Sequence, residues 1–112
     1  MKKIAALALL ATLMVAGAPA AHADPDIDFA NQLHTVGIYG PRDYNAWIAK
    51  IACERLDNGI DHSAADSARF VGRQLAKDAT GVQSWQFVAL AYPIYCPQHL
   101  VLLQQAATPQ PS

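Results

Sequence analysis

The first 23 residues constrain this chain most, because they fix the compartment, and with it the redox state, in which the rest folds. Lys2 and Lys3 form a short basic region, and an apolar run follows from Ile4 to about Val15. Gly17, Pro19 and Ala20 then loosen the chain before Ala21-His22-Ala23. A basic start, an apolar stretch and a small-x-small end are the parts of a cleaved secretory signal peptide. The competing reading is a retained anchor, but an apolar run of about 12 residues falls short of the roughly 20 that span a bilayer as a helix. No cysteine sits at the cleavage point, against lipoprotein processing, and no arginine pair precedes the apolar run, against twin-arginine export. The mature chain is expected to start at Asp24, to lack a membrane-spanning segment, and to be secreted or held in the cell envelope.

Removal of the leader leaves one domain, read as residues 24–107, with a disordered tail at 108–112. A chain of this size buries about 60–65% of its unfolded surface and is marginal without reinforcement. Six basic and nine acidic side chains follow the leader, a net charge of −3. Scattered basic residues on an acidic chain suit neither nucleic acid nor an anionic membrane surface.

Cys53 and Cys96 are the two cysteines of the chain. In a small exported domain, two cysteines are most simply one disulfide. The bridge closes a loop of roughly 44 residues, for which chain entropy gives about 4 kcal/mol as an upper figure. The alternative is a pair of free thiols, which is the one route left open to a thiol enzyme.

The mature chain reads as all-α: a small bundle of four to five short helices, with the disulfide linking helix two to the end of helix four. Period-two patterns are missing and alanine is frequent. Helix one opens at Asp24-Pro25, a capping residue followed by proline at the first helical position, and buries Phe29, Leu33 and Val36. Gly37 closes it. Helix two, from about residue 43 to 58, presents Tyr44, Trp47, Ile48, Ile51, Ala52 and Leu56 on a broad apolar face, with Lys50 and Glu54 placed to pair outside. Gly59 ends it in a positive-φ turn. Helix three starts near Ser63 and buries Ala64, Ala68, Val71 and Leu75. Thr80 and Gln83 form a box-like cap for helix four, whose face is read as Trp85, Val88, Ala89, Tyr92 and Tyr95. Pro93 is expected to kink or end that helix near Tyr92. Pro97 opens a fifth helix, from His99 to about Ala107.

Taken in order, a leader, Asp28-Phe29 with Leu33 and Gly37-Ile38, Cys53 followed by Leu56 and Gly59, and Tyr95-Cys96-Pro97 carry a family likeness. The chain resembles the small exported actinobacterial family, best represented in mycobacteria, that is numbered 732 among the domains of unknown function. The likeness spans about residues 26–98 and departs from the pattern in the longer apolar segment after Pro97. It implies a small helical domain with one disulfide and no assigned activity, and it supplies no catalytic residues.

The residues themselves point away from an enzyme. His34, His62 and His99 are not spaced as metal ligands, and residues 57–61 lack a ligand oxygen at Leu56 where a calcium loop needs one. No nucleophile motif or carboxylate pair stands out. No cofactor or metal is expected, and the chain is read as a monomer. Trp85, Tyr92, Tyr95 and His99 have two readings: core packing, or a cluster near the Pro93 kink that carries a flat ligand such as haem. Tyr39, Trp47 and the Leu100–Leu103 run either complete the core or form a patch for an unknown protein or envelope partner. The leading expectation is a non-enzymatic interaction module with contact through Trp47 or the Leu100 to Leu103 segment. The carrier of a small ligand is the alternative.

Overall fold

A computed structural model describes residues 24–107; the expected leader and tail lie outside the described residues. Five α-helices follow one another: α1 (Pro25–His34), α2 (Arg42–Asp57), α3 (Ala64–Gln74), α4 (Gly81–Tyr95) and, after a 3₁₀ turn at Pro97–His99, α5 (Leu100–Ala107). There is no strand among the described residues.

Three of the helices, α1, α3 and α4, start where a side chain satisfies free backbone N–H groups of the first turn. The Asp24 carboxylate accepts the Asp26 N–H at 2.8 Å, and Ser63 Oγ accepts the Asp66 N–H at 3.1 Å. Thr80 and Gln83 form a complete capping box: Thr80 Oγ1 accepts the Gln83 N–H at 3.0 Å, and Gln83 Oε1 accepts the Thr80 N–H at 2.9 Å. After α1 the chain closes in a Schellman pattern. Gly37 donates its N–H to His34 O, and Ile38 donates to Leu33 O. Gly37 holds φ at +80°, a conformation open to glycine and strained for other residues.

The core is built around α4, which packs against all four other helices. Phe29, Leu33, Ile48, Val71, Phe87, Val88 and Tyr92 are fully buried. The Phe29 ring meets both Phe87 and Tyr95 edge to face, with centroids 5.1 and 5.3 Å apart. α3 and α4 approach closely at Gly72, where an added Cβ would lie 3.0 Å from Ser84 Oγ. Cys53 and Cys96 are bonded, joining α2 to the end of α4 across 43 positions. Arg55 grips Asp61 through two bonds of 2.8 and 3.1 Å while its guanidinium stacks 4.6 Å over Phe70. This closes the connection between α2 and α3.

Four sequence expectations are corrected. The buried face of α2 is Asn45, Ala46, Ile48, Ala49, Ala52, Cys53 and Leu56, so Tyr44 and Trp47 point outward. In α4 the buried residues are Ser84, Phe87, Val88, Ala91 and Tyr92, and Trp85 and Ala89 are exposed. That helix is apolar on nearly every side, so periodicity alone underdetermines its inner face. Pro93 does not end α4 at Tyr92; the helix runs on to Tyr95, with the proline on the exposed side. Lys50 reaches across to Asp26 of α1 at 3.4 Å rather than along its own helix to Glu54.

Candidate functional site

The residues singled out by sequence are distributed as follows. Tyr92 is fully buried, and its hydroxyl lies 2.6 Å from Ser67 Oγ on α3; burial raises its pKa, against the effect of the Ser67 bond. Tyr95 faces α1 instead, donating to Asp26 Oδ1 at 2.6 Å; burial, then this bond, push its pKa well up. His99 Nε2 lies 2.7 Å from Asp57 Oδ1, fastening the start of the C-terminal segment to the end of α2. Trp85 is exposed over a shallow depression shared with Ala65 and Arg69.

The four-residue cluster expected around Pro93 is therefore not assembled. Tyr92 turns to Ser67 on α3 and Tyr95 to Asp26 on α1, and seven residues set Trp85 about 10 Å along the axis from Tyr92. On α5, Leu100 and Val101 are exposed, while Leu102 and Leu103 lean on the core.

Trp47 is placed differently. It is 55% exposed, and with Tyr44 and Tyr39 (67% exposed) it belongs to an aromatic group at one end of the bundle. Tyr39 and Tyr44 line a cleft of about 580 Å³ between the α1–α2 connection, the start of α2 and the α3–α4 connection. Trp47 lies outside that lining, one turn further along α2, its ring centroid 6.0 Å from that of Tyr44 with planes 33° apart. The Tyr39 ring leans on His34, centroids 5.1 Å apart.

Polar contacts set the shape of the cleft. Tyr44 Oη donates to Gln74 O at 3.3 Å, tying α2 to the end of α3. Gln83 Nε2 donates to Val36 O at 3.2 Å and to Gly37 O at 3.4 Å. The same side chain that caps α4 therefore also holds the end of α1. Asn45 is 5% exposed and donates through Nδ2 to Tyr39 O at 3.4 Å. Ile38 and Leu75 supply apolar floor, and Asp78 stands on the α3–α4 connection.

Sequence reasoning singled out Tyr39 and Trp47 but assigned Tyr44 to the core and passed over Asn45, Gln74 and Asp78. The available signal was the aromatic spacing 39, 44, 47 around the Gly40-Pro41 turn. A face drawn through Ile48, Ala52 and Leu56 alone, with Asn45 inside it, would have turned Tyr44 and Trp47 outward.

A family model described as a protein of unknown function, DUF732, matches residues 23–98. Two uncharacterized proteins of Mycobacterium tuberculosis, one from strain CDC 1551 and one from strain H37Rv, are each 50% identical to this chain over 91 residues. The match covers 81% of this chain and 81% of each relative. No solved structure matches. The matched segment contains the whole cleft and both cysteines, and α5 falls after it.

Proposed function

This chain belongs to the DUF732 family of proteins of unknown function, and we propose that it is an exported, non-enzymatic interaction module that meets its partner through the aromatic-rimmed cleft. The observation that carries this reading is the exposure of Tyr39, Tyr44 and Trp47 at one end of the bundle, Tyr39 and Tyr44 lining one concavity and Trp47 standing beside Tyr44. Large rings left in water at one place are costly unless a partner covers them, and aromatic residues dominate the binding energy of interfaces. The Cys53–Cys96 bond is compatible with an oxidising compartment outside the cytoplasm. Leu100 and Val101 on α5 provide a lesser exposed apolar strip.

The test is site-specific photocrosslinking in the producing cell. A benzophenone side chain replaces Tyr39, Trp47 or, as a control on the exposed side of α4, Ala89. Discrete adducts at positions 39 and 47 that are missing at 89 are the expected result. Absence of adducts at 39 and 47, or the same adducts at all three positions, would overturn the reading.

A further inference from the structure

We infer that the cleft takes a neutral, hydroxyl-rich ligand, a short stretch of glycan chain, seated with its C–H face on the Tyr44–Trp47 shelf and its hydroxyl edge on Asn45 and Asp78. The inference rests on the cleft being the contact surface proposed above and adds the chemistry of what it contacts.

Charge narrows the choice first. Among the described residues Asp78 is the one charged side chain lining the cleft, and no lysine, arginine or histidine lines it. A phosphate or carboxylate ligand would find no cation to pair with.

Hydrogen-bonding capacity narrows it further. Asn45 donates one of its two amide N–H hydrogens to Tyr39 O, and its Oδ1 accepts no bond among the described residues. Among the described residues no occluded side-chain oxygen or nitrogen lacks a partner. The Asn45 Oδ1 atom is therefore not fully occluded, in a residue that is 5% exposed and lines the cleft. Asp78 adds two further acceptor oxygens, and the Gln74 side chain adds an amide with both capacities. With the Tyr39 hydroxyl and the second Asn45 N–H, the lining offers both acceptors and donors.

A ligand that presents O–H donors satisfies such a wall. A proline-rich peptide, the other common occupant of aromatic grooves, presents mainly carbonyl acceptors and lacks N–H groups at its prolines. It would bury Asn45 Oδ1 and the Asp78 carboxylate against like groups. The aromatic geometry agrees with a sugar. Tyr44 and Trp47 lie side by side, 33° from coplanar, as a continuous surface rather than a closed cage. Tyr44 is held in place by its bond to Gln74 O. The C–H face of a pyranose packs on such rings through weak C–H contacts to the π-surface and hydrophobic burial. A volume of about 580 Å³ lies within the range of small-molecule sites.

The experiment uses the full exported protein carrying Trp85→Phe, which leaves Trp47 as its sole tryptophan. Neutral hexasaccharides of glucose, mannose and N-acetylglucosamine are titrated in turn, with decaproline and choline as competing chemistries. We expect a saturable change in Trp47 fluorescence with at least one hexasaccharide. The dissociation constant should rise at least about fivefold in Tyr39→Ala and in Gln74→Ala and stay constant between low and high salt, since a neutral ligand is not screened. Circular dichroism of each variant confirms that it is folded. No saturation by any hexasaccharide up to about 10 mM, or saturation by decaproline or choline in their place, overturns the inference. The crosslinks at positions 39 and 47 would persist in that case if only the ligand class is wrong, and would vanish if the cleft is not a contact surface at all.

Discussion

The Tyr95 hydroxyl donates to Asp26 Oδ1 at 2.6 Å, joining α4 to the first turn of α1 across 69 positions of sequence. Lys50 of α2 approaches the other carboxylate oxygen at 3.4 Å and stands 5.7 Å over the Tyr95 ring. Three helices meet at this point. Tyr95→Phe removes the hydroxyl and leaves the ring against Phe29. With Asp26 still partly hydrated, urea denaturation should show a loss of about 1–2 kcal/mol. A loss below about 0.3 kcal/mol would mean that water replaces the bond without cost.

The same contact sets an acid limit. The Asp26 carboxyl is held below its ordinary value, first by the Tyr95 hydrogen bond and then by the Lys50 charge, against an opposing effect of burial. Asp57 is lowered chiefly by its bond with His99. A carboxyl with a lowered pKa in the folded state contributes stability above its unfolded value, about 3.9, and that contribution disappears as pH falls through the lower folded value. Stability measured by urea should therefore hold from pH 7 to 5 as far as these groups are concerned and decline below about pH 4. Asp26→Asn should shallow that decline. Identical acid limbs for the native protein and Asp26→Asn would rule this origin out.

Removing the crosslink should be the most damaging single change. The bond closes a loop of 43 positions, for which the chain-entropy figure is about 4 kcal/mol. The paired Cys53→Ser, Cys96→Ser protein should lose up to that amount. Amide exchange should rise first in α5, which has no fully buried side chain of its own and depends on Cys96 and the His99–Asp57 contact for position. Uniform exchange across all five helices would contradict this order of release.

Ser67 and Tyr92 are a buried pair with no water between them, 2.6 Å apart. Tyr92→Phe strands the Ser67 hydroxyl in the core and should cost about 1–3 kcal/mol. Adding Ser67→Ala should return part of the loss, because no unpaired polar group then remains. Strict additivity of the two changes in a double-mutant cycle would show that the hydroxyls are not coupled.

Gly37→Ala tests the turn that closes α1 beside the cleft. The alanine would have to hold φ near +80°, and its Cβ would come within 3.3 Å of Gln83 Nε2. A destabilisation of about 1–3 kcal/mol is expected. Trp47→Ala, by contrast, should leave the unfolding midpoint nearly unchanged, within about 0.5 kcal/mol, while weakening glycan binding read by calorimetry, since the substitution removes the fluorescent reporter.

The architecture was legible in the sequence where a feature is local. The Asp24-Pro25 start, the Gly37 closure, the Ser63 and Thr80 caps and the opening at Pro97 are chemical statements about a few adjacent atoms, and each stands in the structure. The pairing of Cys53 with Cys96 followed from there being two cysteines to pair. What was not legible depends on neighbours distant in the chain. Tyr44 and Trp47 fit an apolar stripe as well as Ala46 and Ala49 do; the seam takes the alanines because α2 packs on three other helices. Tyr92 and Tyr95 look equivalent by type, yet Ser67 and Asp26, on α3 and α1, decide what each one does. The cleft is harder still to foresee, since its floor and walls come from two connections and the start of α2, tied by the reach of Gln83 and by the Tyr44–Gln74 bond.

The two ends of α2 carry different duties. Cys53 is fixed to Cys96, while Tyr44 and Asn45 open on the cleft about 12 Å away along the axis, at 1.5 Å per residue. What keeps the chain folded is thus separated from what it presents. With Gly37 and Ile38 kept to close α1 and Thr80 kept to cap α4, the exposed positions of 35–41 and 75–80 are the place for new side chains, as in binding loops on any rigid framework, and the crosslinked end stays as it is.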